Sequence, residues 1–167
     1  MKKIVVISLL VVCSLLPLSS IDMGFTVSTF SGSPSLTLIN DGMYGSVGFL
    51  AGLAPRIEFE TTLVGQVTPH PFTNLLIKSS ISFALLSPLY NLEEKDHLYL
   101  NMFIGIGVIA PLSFNGSWGP YITFTPLATG GPQFLRKERV VTLSLYYDVP
   151  TQGVGFFFQL FTLDFYF

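Results

Sequence analysis

The chain is short of charge. Only 11% of its 167 residues are Asp, Glu, Lys or Arg, against about a quarter in ordinary soluble domains. A chain of this length with so little charge cannot cover its own surface with polar groups, which argues against a soluble globule. Basic residues are fewer than acidic ones. There are eight Lys and Arg against ten Asp and Glu. Two of the eight are Lys2 and Lys3, and the others form no basic stripe, which argues against nucleic acid as a partner. Cysteine is almost missing. The single one, Cys13, lies inside an apolar run, preceded by the bulky Val12, which is a poor context for an acylated first residue. Beyond residue 20 there is no thiol for a disulfide or a thiolate metal site. Histidine is confined to His70 and His97, with no carboxylates at metal-ligand spacing, so no metal and no cofactor are expected. No phosphate-binding glycine loop is present either, because Gly105 and Gly107 alternate within an apolar run and read as small residues of a strand. After the first 20 residues no apolar run of about 20 remains, and no 3.6-residue pattern persists for several turns.

What the sequence has in abundance begins at its N-terminus. Met1-Lys2-Lys3 is a short basic region, and Ile4 to Leu18 is apolar apart from Ser8, Ser14 and Pro17. Ser19-Ser20 supplies small residues for cleavage. Residues 1–20 read as a secretory signal peptide, and residues 21–167 as one exported domain.

The rest alternates. From Arg56 to Val67, the residues Ile57, Phe59, Leu63 and Val67 share one face, while Arg56, Glu58, Glu60, Thr62 and Gln66 share the other. Leu75, Ile77, Ile81, Phe83 and Leu85 likewise oppose Asn74, Lys78, Ser80 and Ser82. Val141, Leu143, Leu145 and Tyr147 oppose Thr142, Ser144, Tyr146 and Asp148. Period two is the mark of a strand. About eight such runs occur, near 23–31, 43–53, 55–67, 72–87, 97–110, 119–127, 138–149 and 153–167, punctuated by turn residues such as Asn40-Asp41-Gly42 and Asn115-Gly116-Ser117. Many reach the length of about 9–11 residues that a tilted strand needs to cross a bilayer. Lipid offers no hydrogen bonds to the backbone, so an all-β chain crosses it only as a closed barrel. The predicted fold is therefore all-β, a closed antiparallel transmembrane β-barrel of about eight strands, with its apolar faces in lipid.

The inward charges are the candidate site: Arg56, Glu58, Glu60 and Lys78 on two consecutive strands, with Asp148 and Asp164 on the last two. Pairing about the turn at 68–71 sets Glu60 or Thr62 across from Lys78. Such a set can act as a plug of ion pairs or line a path for protons or ligand. His70 and His97 fall at opposite rims and cannot form one site, and the chain reads as no enzyme. Tyr90, Tyr99, Tyr121, Tyr146, Phe165 and Phe167 lie towards strand ends, where interface girdles place aromatics.

The signal peptide and the terminal strand, Phe161 to Phe167, resemble those of small bacterial outer-membrane barrels of the OmpX and OmpW type. The resemblance extends to the domain as architecture. It implies that Phe161, Leu163, Phe165 and Phe167 form a signal for the barrel-assembly machinery, and that the partners are that machinery and outer-membrane lipid. It implies a role in membrane integrity or surface interaction with a largely filled polar interior. One alternative is a narrow conduit for a small hydrophobic ligand, in the manner of OmpW, lined by Phe156, Phe158 and Leu160 as inward residues of the last strand. The other is a secreted soluble lipid-binding β-barrel with its apolar faces turned inward.

Overall fold

The computed structural model describes residues 23–32, 43–54, 56–68, 75–86, 100–113, 117–131 and 136–167. The expected signal peptide, both histidines, and Tyr90 and Tyr99 lie outside these residues.

Eight strands follow in order: β1 (Met23–Gly32), β2 (Met43–Ala54), β3 (Ile57–Thr68), β4 (Leu75–Ala84), β5 (Leu100–Pro111), β6 (Gly119–Gly131), β7 (Arg136–Asp148) and β8 (Gly153–Tyr166). Each pairs antiparallel with the next. β1 also pairs with β8, from Gly24 beside Tyr166 to Gly32 beside Phe157, and closes the barrel. The Phe167 N–H donates to the Met23 carbonyl at 2.9 Å, which ties the last residue to the first strand. Closure leaves no sheet edge. The rim that carries both chain ends is called the terminal rim here. The opposite rim, which carries the turn from β7 to β8, is the far rim.

The sequence period decides which side each residue faces. On β3 and β4 the alternation is unbroken. Glu58, Glu60, Thr62, Val64 and Gln66 point into the lumen with Leu76, Lys78, Ser80 and Ser82. Leu63, Val67, Ile81 and Phe83 face outward and are exposed. The whole wall follows this inverted rule, and among the described strand residues the only outward charges are Arg136 and Glu138. These two form an ion pair with each other beside the terminal rim. Two outward hydroxyls, on Thr61 and Ser79, stand side by side and hydrogen-bond each other at 2.9 Å. The secreted soluble alternative expects the opposite orientation, with the apolar faces lining the lumen.

One row of residues breaks the alternation. Pro126 and Leu127 on β6, Val140 and Val141 on β7, and Leu160 and Phe161 on β8 are consecutive pairs that both face outward. The β1–β8 register slips between Val27 and Thr29, and the β6–β7 register slips on both sides of Leu127. Phe161 takes a left-handed backbone (φ 53°), an unusual conformation for a bulky residue. Such bulges add a residue and reverse inside and outside beyond them. The reversal corrects one expectation: Phe156, Phe158 and Leu160 face the outer side, and their neighbours Phe157 and Gln159 fill the lumen. Unbroken alternation from the C-terminus carries the wrong parity past Phe161. Tyr121 and Tyr146 are also displaced from the girdle expected of them. Both are buried in the lumen, where they pack with Tyr44, Val64, Leu76, Ile109 and Phe157 towards the far rim.

Gly107 shows how closely that cluster is packed. A Cβ there would fall 2.3 Å from the Ser79 carbonyl oxygen and 2.6 Å from the Tyr121 ring, whereas a Cβ at Gly45 would meet only a Val67 methyl at 3.5 Å. Gly107→Val is expected to destabilise the barrel by about 1–3 kcal/mol and Gly45→Val to leave it nearly unchanged. Urea midpoints of the two variants, measured under the same conditions, check the contrast.

Candidate functional site: an ion chain across the lumen

Strands four apart in an eight-stranded ring lie on opposite walls, so β3 faces β7. The bulge on β7 turns Lys137 and Arg139 inward at the level of Glu58 and Glu60 on β3. Two ion pairs therefore cross the lumen. Lys137 Nζ donates to both Glu58 oxygens at 2.6 Å, and Arg139 Nη2 donates to Glu60 Oε2 at 2.6 Å. Asp164, turned inward by the bulge on β8, sits between the two cations, 3.1 Å from Lys137 Nζ and 2.8 Å from Arg139 Nη2. On the other side of Glu60, Lys78 Nζ lies at 3.4 Å. The six charges thus alternate in one chain: Glu58, Lys137, Asp164, Arg139, Glu60, Lys78. Three acids meet three bases and the net charge is zero.

Neutral groups extend the chain at both ends. Tyr166 Oη donates to Glu58 Oε2 at 2.9 Å. Lys78 Nζ donates to Gln159 Oε1 at 2.7 Å, Gln159 Nε2 donates to Ser28 Oγ at 2.9 Å, and Ser28 and Ser46 share a hydroxyl bond of 2.6 Å. Aromatic faces flank the cations: the Phe103 ring centroid lies 4.9 Å from Lys137 Nζ and the Tyr121 centroid 5.9 Å from Lys78 Nζ. All six charged side chains are buried. Removing such charges from water is expensive, and an arrangement of this kind holds only when every charge meets an opposite one with good geometry. The aromatic cluster lies above the chain, towards the far rim.

The structure brings Glu58, Glu60, Lys78 and Asp164 together, and sets Lys78 beside Thr62 and Glu60 beside Ser80 in the β3–β4 register. Asp148 is buried but belongs to the far rim, where its Oδ2 accepts from Ser117 Oγ at 2.9 Å and Thr151 Oγ1 at 2.6 Å and holds the turn into β8. Arg56 is not in the lumenal chain. It precedes β3 at the terminal rim and donates to the Leu85 carbonyl at 3.4 Å. Lys137 and Arg139 are the residues of the candidate site that sequence reasoning missed. Continuing the β7 alternation back from Tyr147 places both outside. One signal was present: Val140-Val141 breaks the period where a run of charges begins, while the acids assigned to the interior outnumbered its bases.

Phe161, Leu163, Phe165 and Phe167 all lie on the outer side of the last strand, with Phe161 70% and Phe167 75% exposed. Phe165 stacks on Phe25 of β1 across the closing seam, with ring centroids 5.0 Å apart. Among the described residues no group of three or more His, Cys, Asp or Glu could hold a metal ion. A separate set of buried polar atoms has no hydrogen-bond partner, including the hydroxyls of Thr123, Ser144 and Tyr146 and Arg139 Nε. A buried hydroxyl left unpaired costs about 1–3 kcal/mol. No protein-family profile, curated protein or solved structure matches the chain.

Removing one acid tests the ion chain. Glu60→Gln leaves Lys78 and Arg139 short of a counter-charge and is expected to cost about 3–5 kcal/mol. Glu138→Gln, which breaks the half-exposed rim pair with Arg136, is expected to cost less than about 1 kcal/mol. Equal losses in the two variants, read from urea titrations in lipid vesicles, would refute the lumenal assignment.

Proposed function

We propose that this chain is an integral outer-membrane β-barrel protein with a filled polar interior, serving membrane integrity or surface interaction without enzymatic activity. One observation carries the reading. The barrel is inverted relative to a soluble protein: Val47, Phe49, Ile81, Ile104, Ile106 and Leu145 are among many large apolar side chains exposed on its outer wall, while the charges lie inside. Water would penalise every square ångström of that wall, and lipid would not. Strand lengths of 10 to 14 residues suit a tilted crossing of the hydrocarbon layer. The two outward hydroxyls that satisfy each other are also what a lipid-facing wall requires.

On this reading residues 1–20 direct export and are removed. The outward aromatic residues of the last strand, from Phe161 to Phe167, are offered to the assembly machinery before they meet lipid. A surface-interaction role would be exercised from a rim, since the wall is occupied by lipid. A conduit for hydrophobic molecules is less well supported: two ion pairs and an aromatic cluster cross the lumen, and the residues expected to line the path face the outside.

The test is refolding of the exported domain into detergent or phospholipid, followed by gel electrophoresis with and without boiling. A mobility shift on boiling is expected, with β-type circular dichroism that is lost when detergent is withheld. A monomer that stays folded in plain buffer would eliminate the membrane reading. Within the membrane form, Ile106→Arg at mid-wall is expected to cost about 2–4 kcal/mol and to reduce the folded fraction in vesicles.

A further inference from the structure

The outer wall differs from one side of the barrel to the other. On β6, β7 and β8 the bulges crowd extra apolar residues into one row, and Phe161 stands in it. No large apolar side chain of the described strands is more exposed than Phe161. Its left-handed backbone is strained for a bulky residue, and an outlier of this kind is a lead to function. On the far-rim side of the row the same face sinks into an apolar hollow of about 490 Å³, between Ile104, Phe124, Leu143 and Phe156. On the terminal side stand Arg136 and Glu138, paired with each other. The register sets Glu138 beside Leu163 and Arg136 beside Phe165, one and two outward rows from Phe161. One face thus carries a knob, a hollow, an acid and a base. The opposite wall, β2 to β4, has no outward charge among its described residues.

We infer that the β6–β8 face docks a second copy of this barrel, side by side in the membrane, across a two-fold axis parallel to the barrel axis. The inference rests on the membrane reading above. A two-fold interface uses the same patch on both copies, so that patch must complement itself. This axis keeps every residue at its own depth and brings the two β7 strands together at the level of the charges. Arg136 of each copy then meets Glu138 of the other, and two neutral pairs become one neutral cluster of four. Lipid tails fill a hollow but offer nothing to a charge. Knob and hollow lie on one face, so relief on either copy is matched by relief on the other. Close packing and polar contacts are what drive association in a bilayer, because lipid tails are as apolar as the wall. The charges decide which face and which partner more than how tightly they hold. The remaining wall stays with lipid.

Introduced thiols test the contact, because Cys13 is the only cysteine and lies in the segment read as the export signal. The full chain is expressed, its membranes are oxidised, and the unsubstituted chain serves as the control for Cys13. Val140→Cys, in the bulge row, should give a disulfide-linked dimer, and Leu63→Cys, on the opposite wall, should not. Equal dimer from both means chance collision and overturns the inference. A second measurement needs no thiol. Energy transfer between donor- and acceptor-labelled wild-type copies in phospholipid vesicles should persist as lipid is added. Glu138→Arg brings four bases together and should weaken association by about tenfold or more. Adding Arg136→Glu exchanges the two charges and should restore it. A wild type that stays single, a Glu138→Arg barrel that associates as well as wild type, or an exchange that restores nothing overturns the inference. Each barrel is first shown to be folded by its mobility shift on boiling, so a single folded barrel in lipid leaves the membrane reading standing. A wild type that stays folded in plain buffer would overturn that reading and this inference with it.

Discussion

Two ion pairs that cross the lumen, Glu58 with Lys137 and Glu60 with Arg139, set the terms for everything around them. Each joins walls that the backbone ladders connect only the long way round the ring. Asp164 locks the two cations together, and Lys78 ends the series. Buried charges of this kind do not make a protein stable by themselves, since apolar side chains of similar volume often serve as well. They do make it particular. A register shift of one residue in β3, β7 or β8 would leave an acid or a base alone in a medium that cannot solvate it. The chain therefore selects one strand register out of several that the apolar outer wall would tolerate.

Above the ion chain the lumen changes character. Tyr44, Tyr121, Tyr146 and Phe157 form an aromatic layer, with Tyr121 and Phe157 packed edge to face at 5.6 Å. That layer leans on a wall thinned at Gly105 and Gly107, where β6 side chains lie across the bare backbone of β5. The barrel is thus not uniformly filled: charge holds the half near the chain ends, and aromatic packing with hydroxyls holds the other.

Most of the architecture could be read from period two alone. The alternation across Arg56 to Val67 and Thr73 to Leu85 is unbroken, because both strands obey one constraint along their whole length. It placed Glu58, Glu60 and Lys78 inside and matched the β3–β4 register. The site was only half legible, for a physical reason. Parity is counted residue by residue, and one bulge reverses every assignment beyond it. The pairs Pro126-Leu127 and Leu160-Phe161 are ordinary apolar dipeptides that nothing local marks as reversals, and Val140-Val141 is marked only by the run of charges beside it. Their necessity is global: without them Lys137 and Arg139 would face outward and the lumenal acids would lack two of their three cations. Charge balance across the lumen supplies information that periodicity lacks.

The row of bulges also constrains how such a chain can change. Three adjacent strands reverse at one level, and β7 and β8 carry polar inward residues on both sides of the reversal. Loss of one residue at Val140 would straighten β7 alone. One half of its polar side chains would then turn outward while β8 kept its own reversal. The three bulges are consequently inherited as a set. Length changes in this wall are confined to its turns, whereas the regular strands β3 and β4 can lengthen or shorten by two residues and keep every side chain on its proper face.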